Sequence, residues 1–553
     1  MLFASSLLRA APLLAVAALA GASPLAKRAD PTVKLDNATV TGSASGSVNK
    51  FLGIPFAQPP TGNLRFQLPQ PLSAYSTDFS ATSFGPACPQ QPIKLPIPDS
   101  LPQQAKDAIN NVTNLLYDVI TPAAEDCLTV NVVAPADATP DSKLPVIAWI
   151  FGGGFEVGGT STYDGGVIVD RAIDLDVPAI YVSMNYRVAA FGFLASKEVK
   201  DAGVGNLGLQ DQRLALQWIQ QYIGAFGGDA SKVTIWGESA GAISVALHML
   251  TNGGDTQGLF RGAFMNSGSP IPVGDITEGQ QYYDYLVDQT GCSGASDTLD
   301  CLRGVDYDEL MKAVGGTPFI FSYQSLVLAW LPRVDGVFLK DDPQNLVTQG
   351  SVANVPFISG DCDDEGTLFS FSTLNVTSDD QWSDYLQTIY LPKAPGADIS
   401  QLATLYPSDL SDGSPFNTGI ANALTPEFKR LAAFQGDAVF QAPRRYFMQA
   451  QSGKQPMWSF INKRLKAIPF VGSFHGSDLL NVFFGGDMTD YVVRFAANLD
   501  PNGDTGISWP KYTTDAPNML AFQDGFTPQA IEQDNYRVDA MQYLANVTLQ
   551  FPI

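Results

Sequence analysis

Residues 232–250 have the sequence Lys-Val-Thr-Ile-Trp-Gly-Glu-Ser-Ala-Gly-Ala-Ile-Ser-Val-Ala-Leu-His-Met-Leu, and this stretch decides the fold. The β-branched run 232–236 predicts a strand, and the apolar run 240–250 predicts a helix. A G-x-S-x-G sequence lies between them, so strand, tight turn and helix follow one another directly. This order places the hydroxyl of Ser239 at the carboxyl edge of a sheet. Glycines flank the serine because a Cβ atom would clash where the backbone turns so sharply.

Similar strands recur along the chain and alternate with helical segments. Short apolar runs bounded by glycine or polar residues occupy 146–151, 179–183, 233–236, 262–266, 355–359 and 457–461. Helical patterns lie between many of them, for example at 211–223. Buried strands alternating with helices predict an α/β fold with a large, mostly parallel central sheet flanked by helices. No linker divides the chain, so we expect residues 29–553 to form a single domain with long insertions.

Composition excludes one class of function. The 553 residues carry a formal net charge of −23, whereas proteins that neutralise nucleic-acid phosphates need basic surfaces. Hydrophobic residues make up 45% of the chain, too many for a disordered protein. We therefore expect a folded protein with no nucleic-acid partner.

The N-terminal segment predicts export. An early arginine, an apolar stretch and small residues at 20–22 form a signal peptide over residues 1–22, and Lys27-Arg28 predicts a short propeptide to residue 28. No later stretch has the roughly 18 consecutive apolar residues of a membrane span, so we expect a secreted, extracellular protein without a transmembrane segment. Four N-x-S/T sequons are candidate glycosylation sites, at Asn37, Asn111, Asn375 and Asn546.

Export changes the interpretation of the five cysteines. In an oxidising compartment four of them can pair. The pairs nearest in sequence are Cys88 with Cys127 and Cys292 with Cys301, although the sequence alone allows other connectivities. Cys362 is left over and is interpreted as a small buried thiol. No cysteine or histidine spacing is typical of a metal site, so we expect no metal.

A serine hydroxyl is a weak nucleophile unless a base removes its proton, and the chain has only two histidines. His248 lies nine residues after Ser239 on the same predicted helix, about 13.5 Å further along its axis. We therefore expect His248 to be a packing or capping residue and His475 to be the base. His475 lies in a loop that follows the predicted strand 457–461.

A carboxylate must orient the imidazole and stabilise its charged form. The chain order serine, acid, histidine of α/β-hydrolases places this acid between 239 and 475, at the carboxyl end of a strand. The segment 355–367 fits, but spacing does not choose among its four acids, Asp361, Asp363, Asp364 and Glu365. The glycines after strand 146–151 allow backbone N–H groups to approach an oxyanion. Candidate oxyanion donors are therefore the N–H groups of Gly153, Gly154 and Ala240.

Together these motifs resemble the type-B carboxylesterase/lipase family, the cholinesterase-like α/β-hydrolases. The matching segments extend through most of the chain, at 51–60, 125–131, 152–155, 185–187, 206–213, 237–241, 364–366 and 474–476. The resemblance implies an α/β-hydrolase fold without a cofactor, with Glu365 as the acid. It also implies the disulfides Cys88–Cys127 and Cys292–Cys301, and structural ion pairs between Arg65 and Glu125 and between Arg187 and Asp211.

The chain is most similar to the fungal lipase and sterol-esterase branch of that family. In this branch the disulfide loop, here 88–127, is a lid. Cholinesterases place a tryptophan there for a quaternary ammonium ligand, whereas this loop has none. Residues 101–119 have an apolar helical face, which predicts a lid that opens at a lipid or detergent interface. The alternative is a surface helix packed permanently on the core.

We therefore expect a secreted serine esterase that cleaves hydrophobic esters such as acylglycerols or sterol esters, as a monomer or homodimer. One alternative is a carboxylesterase for short soluble esters. A remoter alternative is a binding or adhesion protein of the same family. Such proteins lack members of the catalytic triad, whereas this chain has candidates for all three.

Overall fold

A computed structural model describes residues 28–92, 101–107, 110 and 122–552. Fourteen strands occur in these ranges: β1 Thr32–Leu35, β2 Ala38–Thr41, β3 Ser43–Ser45, β4 Val48–Pro55, β5 Phe79–Ser80, β6 Thr129–Pro135, β7 Leu144–Ile150, β8 Ile180–Met184, β9 Gly228–Glu238, β10 Gly262–Asn266, β11 Phe357–Cys362, β12 Met457–Lys463, β13 Asn518–Gln523 and β14 Gln529–Gln533.

The helices connect and flank these strands. The α-helices are Gly165–Asp174, Ala189–Phe193, Lys197–Ala202, Leu207–Tyr222, Ala240–Leu250, Gln280–Gln289, Thr298–Gly304, Tyr307–Val314, Pro343–Thr348, Asp379–Tyr385, Gly396–Leu405, Phe428–Gly436, Ala442–Gln451, Ser477–Phe483, Asp487–Asn498 and Val538–Gln550. Two π-helices extend neighbouring α-helices, Leu386–Tyr390 and Asp437–Gln441. Short 3₁₀ turns occur at Gly62–Leu64, Thr160–Thr162, Ile223–Phe226, Thr251–Gly254, Ile276–Gly279, Cys292–Gly294 and Phe369–Thr373.

Most of the strands form one large sheet. In the described ranges its order is β14-β13-β12-β11-β10-β9-β7-β8-β6-β4-β3, and a small separate sheet has the order β1-β2-β5. From β8 to β13 every neighbouring pair is parallel, and the strands beyond them at both edges are antiparallel. The prediction of a large, mostly parallel sheet flanked by helices is confirmed. All six predicted strands are present, whereas β1 to β6, β13 and β14 were not among the predicted strands.

Helices cover both faces of the sheet. Asp487–Asn498 packs against β7 and β9 together with Gly165–Asp174, whereas Ala240–Leu250 packs against β9 and β10. Successive residues of β9 contact helices on opposite faces of the sheet. Trp236 stacks on the ring of Phe483 and meets the ring of Trp149 edge to face, whereas Gly237 lies against the backbone of the helix Ala240–Leu250. This alternation is the expected result of the two-residue period of a strand.

The structure contains the cysteine pairs that the resemblance implies. Disulfides join Cys88 to Cys127 and Cys292 to Cys301, and Cys362 is a buried free thiol. Both ion pairs implied by the resemblance also form, with N–O distances of 2.6 Å for Arg65–Glu125 and 2.7 Å for Arg187–Asp211.

Several predictions concern segments outside the described residues. These are the signal peptide over 1–22, the sequon at Asn111 and most of the apolar face of the expected lid helix. Residues 103–107 of that segment are helical, and Ala105 is buried. The other sequon asparagines, Asn37, Asn375 and Asn546, are exposed, as a glycan requires. Among the described residues no helix is long and apolar enough to cross a membrane.

Candidate active site

Ser239 occupies the tight turn between β9 and the helix Ala240–Leu250. Its φ of +55° lies in the left-handed region, which a non-glycine residue rarely adopts. The flanking glycines make this turn sterically possible. A Cβ atom on Gly241 would lie 2.0 Å from the carbonyl oxygen of Ile150, and one on Gly237 would lie 2.4 Å from the backbone of Gly241. The turn therefore requires glycine on both sides of the serine.

The structure brings His475 to this serine. His475 follows β12 in a loop, and its Nε2 lies 2.8 Å from the Oγ of Ser239. Both residues are buried. His248 lies elsewhere, with its Nε2 3.0 Å from the Oε1 of Gln212. Burial lowers the pKa of His248 to about 3, so this imidazole is neutral and serves as a packing residue.

Glu365 is the acid that reaches the imidazole. Its Oε2 lies 2.5 Å from the Nδ1 of His475, and its Oε1 accepts a hydrogen bond of 2.6 Å from the backbone N–H of Cys362. The three competing acids have other partners. Asp361 binds Arg444, and Asp363 and Asp364 both bind Lys466.

The environment of His475 stabilises the imidazolium that forms when this base takes a proton. Burial alone would disfavour the imidazolium, but the surrounding carboxyl groups, with Glu365 contributing most, together raise the pKa of His475. Glu238, which the sequence analysis did not single out, lies on the other side of the ring, with its Oε1 3.4 Å from Nε2. Burial raises the pKa of Glu238 to about 8, although the charge of His475 opposes the rise. Glu238 is therefore mainly a neutral acid at neutral pH.

A second buried carboxyl group lies behind the histidine. Asp478 accepts a 2.6 Å hydrogen bond from the Nδ2 of Asn266, whose Oδ1 accepts one from the indole of Trp236. Burial raises the pKa of Asp478 to about 6. The sequence did contain a signal for both acids, since Glu238 directly precedes Ser239 in the G-x-S-x-G motif and Asp478 lies three residues after His475, although neither was predicted as a site residue.

The glycine loop after β7 has a backbone conformation that requires glycine. Gly153 and Gly154 have φ values of +114° and +64°, and a Cβ on Gly153 would lie 2.2 Å from the carbonyl oxygen of Val157. In the part of the chain that the structure describes, no hydrogen bond uses the N–H of Gly153, Gly154 or Ala240. Three backbone donors near Ser239 are therefore available to a ligand.

An apolar cavity opens beside the serine. It extends from Ser239 and Ala240 and lies between the helix Ala240–Leu250 and the long insertions that follow β10 and β11. Its walls are almost entirely hydrophobic, and they include Phe155, Ile243, Ile271, Ile320, Leu326, Leu331, Val439 and Phe440. Such a cavity suits the hydrocarbon part of a substrate. Within the described residues, no group of three or more His, Cys, Asp or Glu side chains could hold a metal ion.

The sequence profile described as the Carboxylesterase family matches residues 29–540. The chain belongs to the carboxylesterase family. It is 44% identical to Lipase 2 of Diutina rugosa over 93% of this chain and 96% of that protein. It is 43% identical to a secreted triacylglycerol lipase of Gibberella zeae, over 95% of this chain and 92% of that protein. As a member of the carboxylesterase family, it is a carboxylic ester hydrolase.

A solved structure of the carboxylesterase fold supports the same assignment. The crystal structure of EstA from Aspergillus niger matches this carboxylesterase with a TM-score of 0.81 at 29% sequence identity. The match covers 95% of this chain and 99% of that one. The α/β-hydrolase fold implied by the motifs is therefore confirmed, and so is the family.

Proposed function

We propose that the protein is a secreted serine esterase in which Ser239 is the nucleophile, His475 the general base and Glu365 the orienting acid. The unbroken hydrogen-bond chain between these three side chains carries this proposal. Its two links of 2.8 and 2.5 Å lie at the end of an apolar cavity, where an ester carbonyl can meet the serine. Nucleophile, base and acid come from the ends of β9, β12 and β11.

In acylation, the Oγ of Ser239 attacks the ester carbonyl carbon while Nε2 of His475 takes the hydroxyl proton. The Glu365 carboxylate holds Nδ1–H and stabilises the imidazolium. The N–H groups of Gly153, Gly154 and Ala240 donate to the oxyanion of the tetrahedral intermediate. His475 then protonates the leaving alcohol, and an acyl-enzyme remains.

Deacylation repeats these steps with water. His475 removes a proton from the water, which attacks the acyl-enzyme carbonyl, and the same donors stabilise the second oxyanion. His475 returns the proton to Ser239 as the acid leaves. Each proton lost by a nucleophile thus passes through Nε2 of one histidine.

We propose hydrophobic esters as substrates, because the cavity beside Ser239 is apolar. The names of the Diutina and Gibberella relatives, a lipase and a secreted triacylglycerol lipase, support long-chain esters and export. The two disulfides fit an oxidising compartment. The alternative, a preference for short soluble esters, is distinguished by kcat/KM across acyl chains from C2 to C18.

Covalent labelling tests the proposal most directly. An activated phosphonate should label one serine and stop turnover, and peptide mapping should place the label on Ser239. Ser239→Ala and His475→Ala should each reduce kcat by about 10⁶-fold. His248→Gln is the matched control and should retain activity. A label on another serine, or a dead but folded His248→Gln beside an active His475→Ala, would overturn the assignment.

The lid hypothesis has a separate test. If the segment 101–119 opens at an interface, the rate on long-chain esters should rise once the substrate aggregates. Replacing Leu115 and Leu116 together by serine should flatten that rise and affect a soluble C2–C4 ester less. A smooth saturation curve that the double replacement leaves unchanged would indicate a fixed helix and favour the short-ester alternative.

A further inference from the structure

Arg333 is a buried cation without a hydrogen-bonded partner. It lies in the insertion between β10 and β11, and its side chain is 7% exposed. Among the described residues none accepts a hydrogen bond from its guanidinium, and both Nε and Nη1 are buried without a partner. The nearest carboxylate, Glu278, lies 3.9 Å from Nη1. Because a buried charge costs free energy unless it is hydrogen-bonded, this guanidinium needs an acceptor.

Two cavities meet at this arginine. The first is the apolar cavity that begins at Ser239, and Arg333 forms part of its wall. The second is more polar, and its wall includes Glu278 and Lys393. Val327, Leu328 and Arg333 line both cavities. Since the Lys393 side chain is 54% exposed, the second cavity lies at the protein surface. The lining between Ser239 and the surface near Lys393 therefore changes from apolar to polar at Arg333.

The charges around Arg333 favour an anion. Glu278 also pairs with Lys393, so one carboxylate faces two cations. Glu156 lies near the neighbouring Tyr282, but it is fully buried and burial raises its pKa, which favours the neutral acid. A local excess of positive charge thus remains in a chain whose net charge is −23. A carboxylate fits this excess better than a neutral hydroxyl group, and it matches the donor geometry of a guanidinium.

We propose that Arg333 binds a carboxylate at the far end of the acyl chain, so that half-esters of dicarboxylic acids are substrates. The proposal rests on Ser239 as the nucleophile. The methylene chain lies in the apolar cavity with the ester carbonyl at Ser239 and the terminal carboxylate at the guanidinium. The second cavity admits water to that carboxylate, which reduces its desolvation. The reaction remains hydrolysis: water cleaves the ester bond and releases the alcohol and the dicarboxylic acid.

The test compares matched substrates. Wild-type enzyme is assayed at pH 7 with 4-nitrophenyl half-esters of C6 to C16 dicarboxylic acids and with methyl-terminated esters of equal length. Shorter diacids are avoided because they cleave their own esters. The ratio of kcat/KM for the two series should peak at the length that reaches Arg333. At that length Arg333→Met should lower the ratio by about 10- to 100-fold, the range for charged hydrogen bonds, and Arg333→Lys should restore part of it.

A matched control separates this effect from general damage. Arg171 also forms a partly buried ion pair, with Asp490, and lines neither cavity. Arg171→Met should leave the ratio unchanged. Thermal unfolding of each variant establishes that it is folded. If Arg333→Met does not fold, wild-type inhibition decides instead: dicarboxylic acids should compete with a methyl-terminated substrate at least tenfold better than monocarboxylic acids of equal length.

Two outcomes would overturn the role of Arg333. One is a wild-type enzyme whose kcat/KM is lower for the half-ester than for the methyl-terminated ester at every length, and which dicarboxylic acids inhibit no better than monocarboxylic acids. The other is a folded Arg333→Met with an unchanged ratio. If methyl-terminated esters are hydrolysed in either case, only this inference fails. If neither series is hydrolysed, the proposed function itself fails.

Discussion

Glu365→Gln tests how the hydrogen bonds of one carboxylate control His475. In the structure Oε1 accepts from the N–H of Cys362, and Oε2 faces Nδ1 of the imidazole. A glutamine amide has one acceptor oxygen and one donor NH₂ group. If its oxygen binds Cys362, the NH₂ faces Nδ1, and the imidazole must carry its proton on Nε2. If the amide is reversed, its NH₂ group faces the backbone N–H of Cys362, so two donors oppose each other.

The first arrangement should dominate because it leaves no buried N–H unpaired. It puts a proton on the nitrogen that must take one from Ser239. Replacement of the carboxylate by an amide in serine triads lowers kcat about 10⁴-fold, equivalent to about 5.5 kcal/mol. KM should change little, because Glu365 lies behind the imidazole and outside the apolar cavity. Since the Glu365 carboxylate raises the pKa of His475, its loss should also move the acidic limb of residual activity to lower pH.

The assay is steady-state hydrolysis of a soluble ester from pH 5 to 10, with thermal unfolding to verify the fold. Glu238→Gln is the comparison, because Glu238 is also a buried acid close to the imidazole and is mainly neutral at pH 7. We expect it to lower kcat much less than Glu365→Gln. A folded Glu365→Gln enzyme with kcat within tenfold of wild type would refute the reasoning. It would mean that another carboxylate orients His475.

Three further changes concern stability. Burial lowers the pKa of His248 to about 3, so between about pH 6.5 and 3 the unfolded chain binds a proton that the folded chain does not. As the pH is lowered through this range, the free energy of unfolding should decrease by up to about 1.4 kcal/mol per pH unit because of His248. Urea unfolding should show that His248→Gln removes this contribution. Gly241→Ala should prevent soluble expression because of its 2.0 Å contact, whereas Gly224→Ala, with no atom within 4 Å, should leave the Tm within a few degrees. Arg444→Met leaves the buried Asp361 without its partner, whereas Asp534 keeps Arg445, and the loss of the Asp361 pair should cost about 3–5 kcal/mol in urea unfolding; a loss below 1 kcal/mol would contradict that estimate.

The sequence by itself determined the elements whose signals are local. The helix Ala240–Leu250 and the strand Gly262–Asn266 begin and end at the predicted residues, because hydrophobic periodicity and bounding glycines act within a few residues. The turn at Ser239 was predicted for the same reason. The strand β13 was not among the predicted strands, and its place in the sheet comes from pairing with β12.

Only the tertiary structure decided which distant groups meet. Four acids lie within five positions at the end of β11, and residue spacing did not choose among them. In the folded chain Glu365 contacts His475, and the others pair with Arg444 and Lys466. The approach of Glu238 to His475 could not be identified from the sequence. Nor could the guanidinium of Arg333, which has no hydrogen-bond acceptor among the described residues. A strand or a turn is determined by its neighbours in the chain, whereas the burial and pairing of a charge depend on segments that are distant in the sequence.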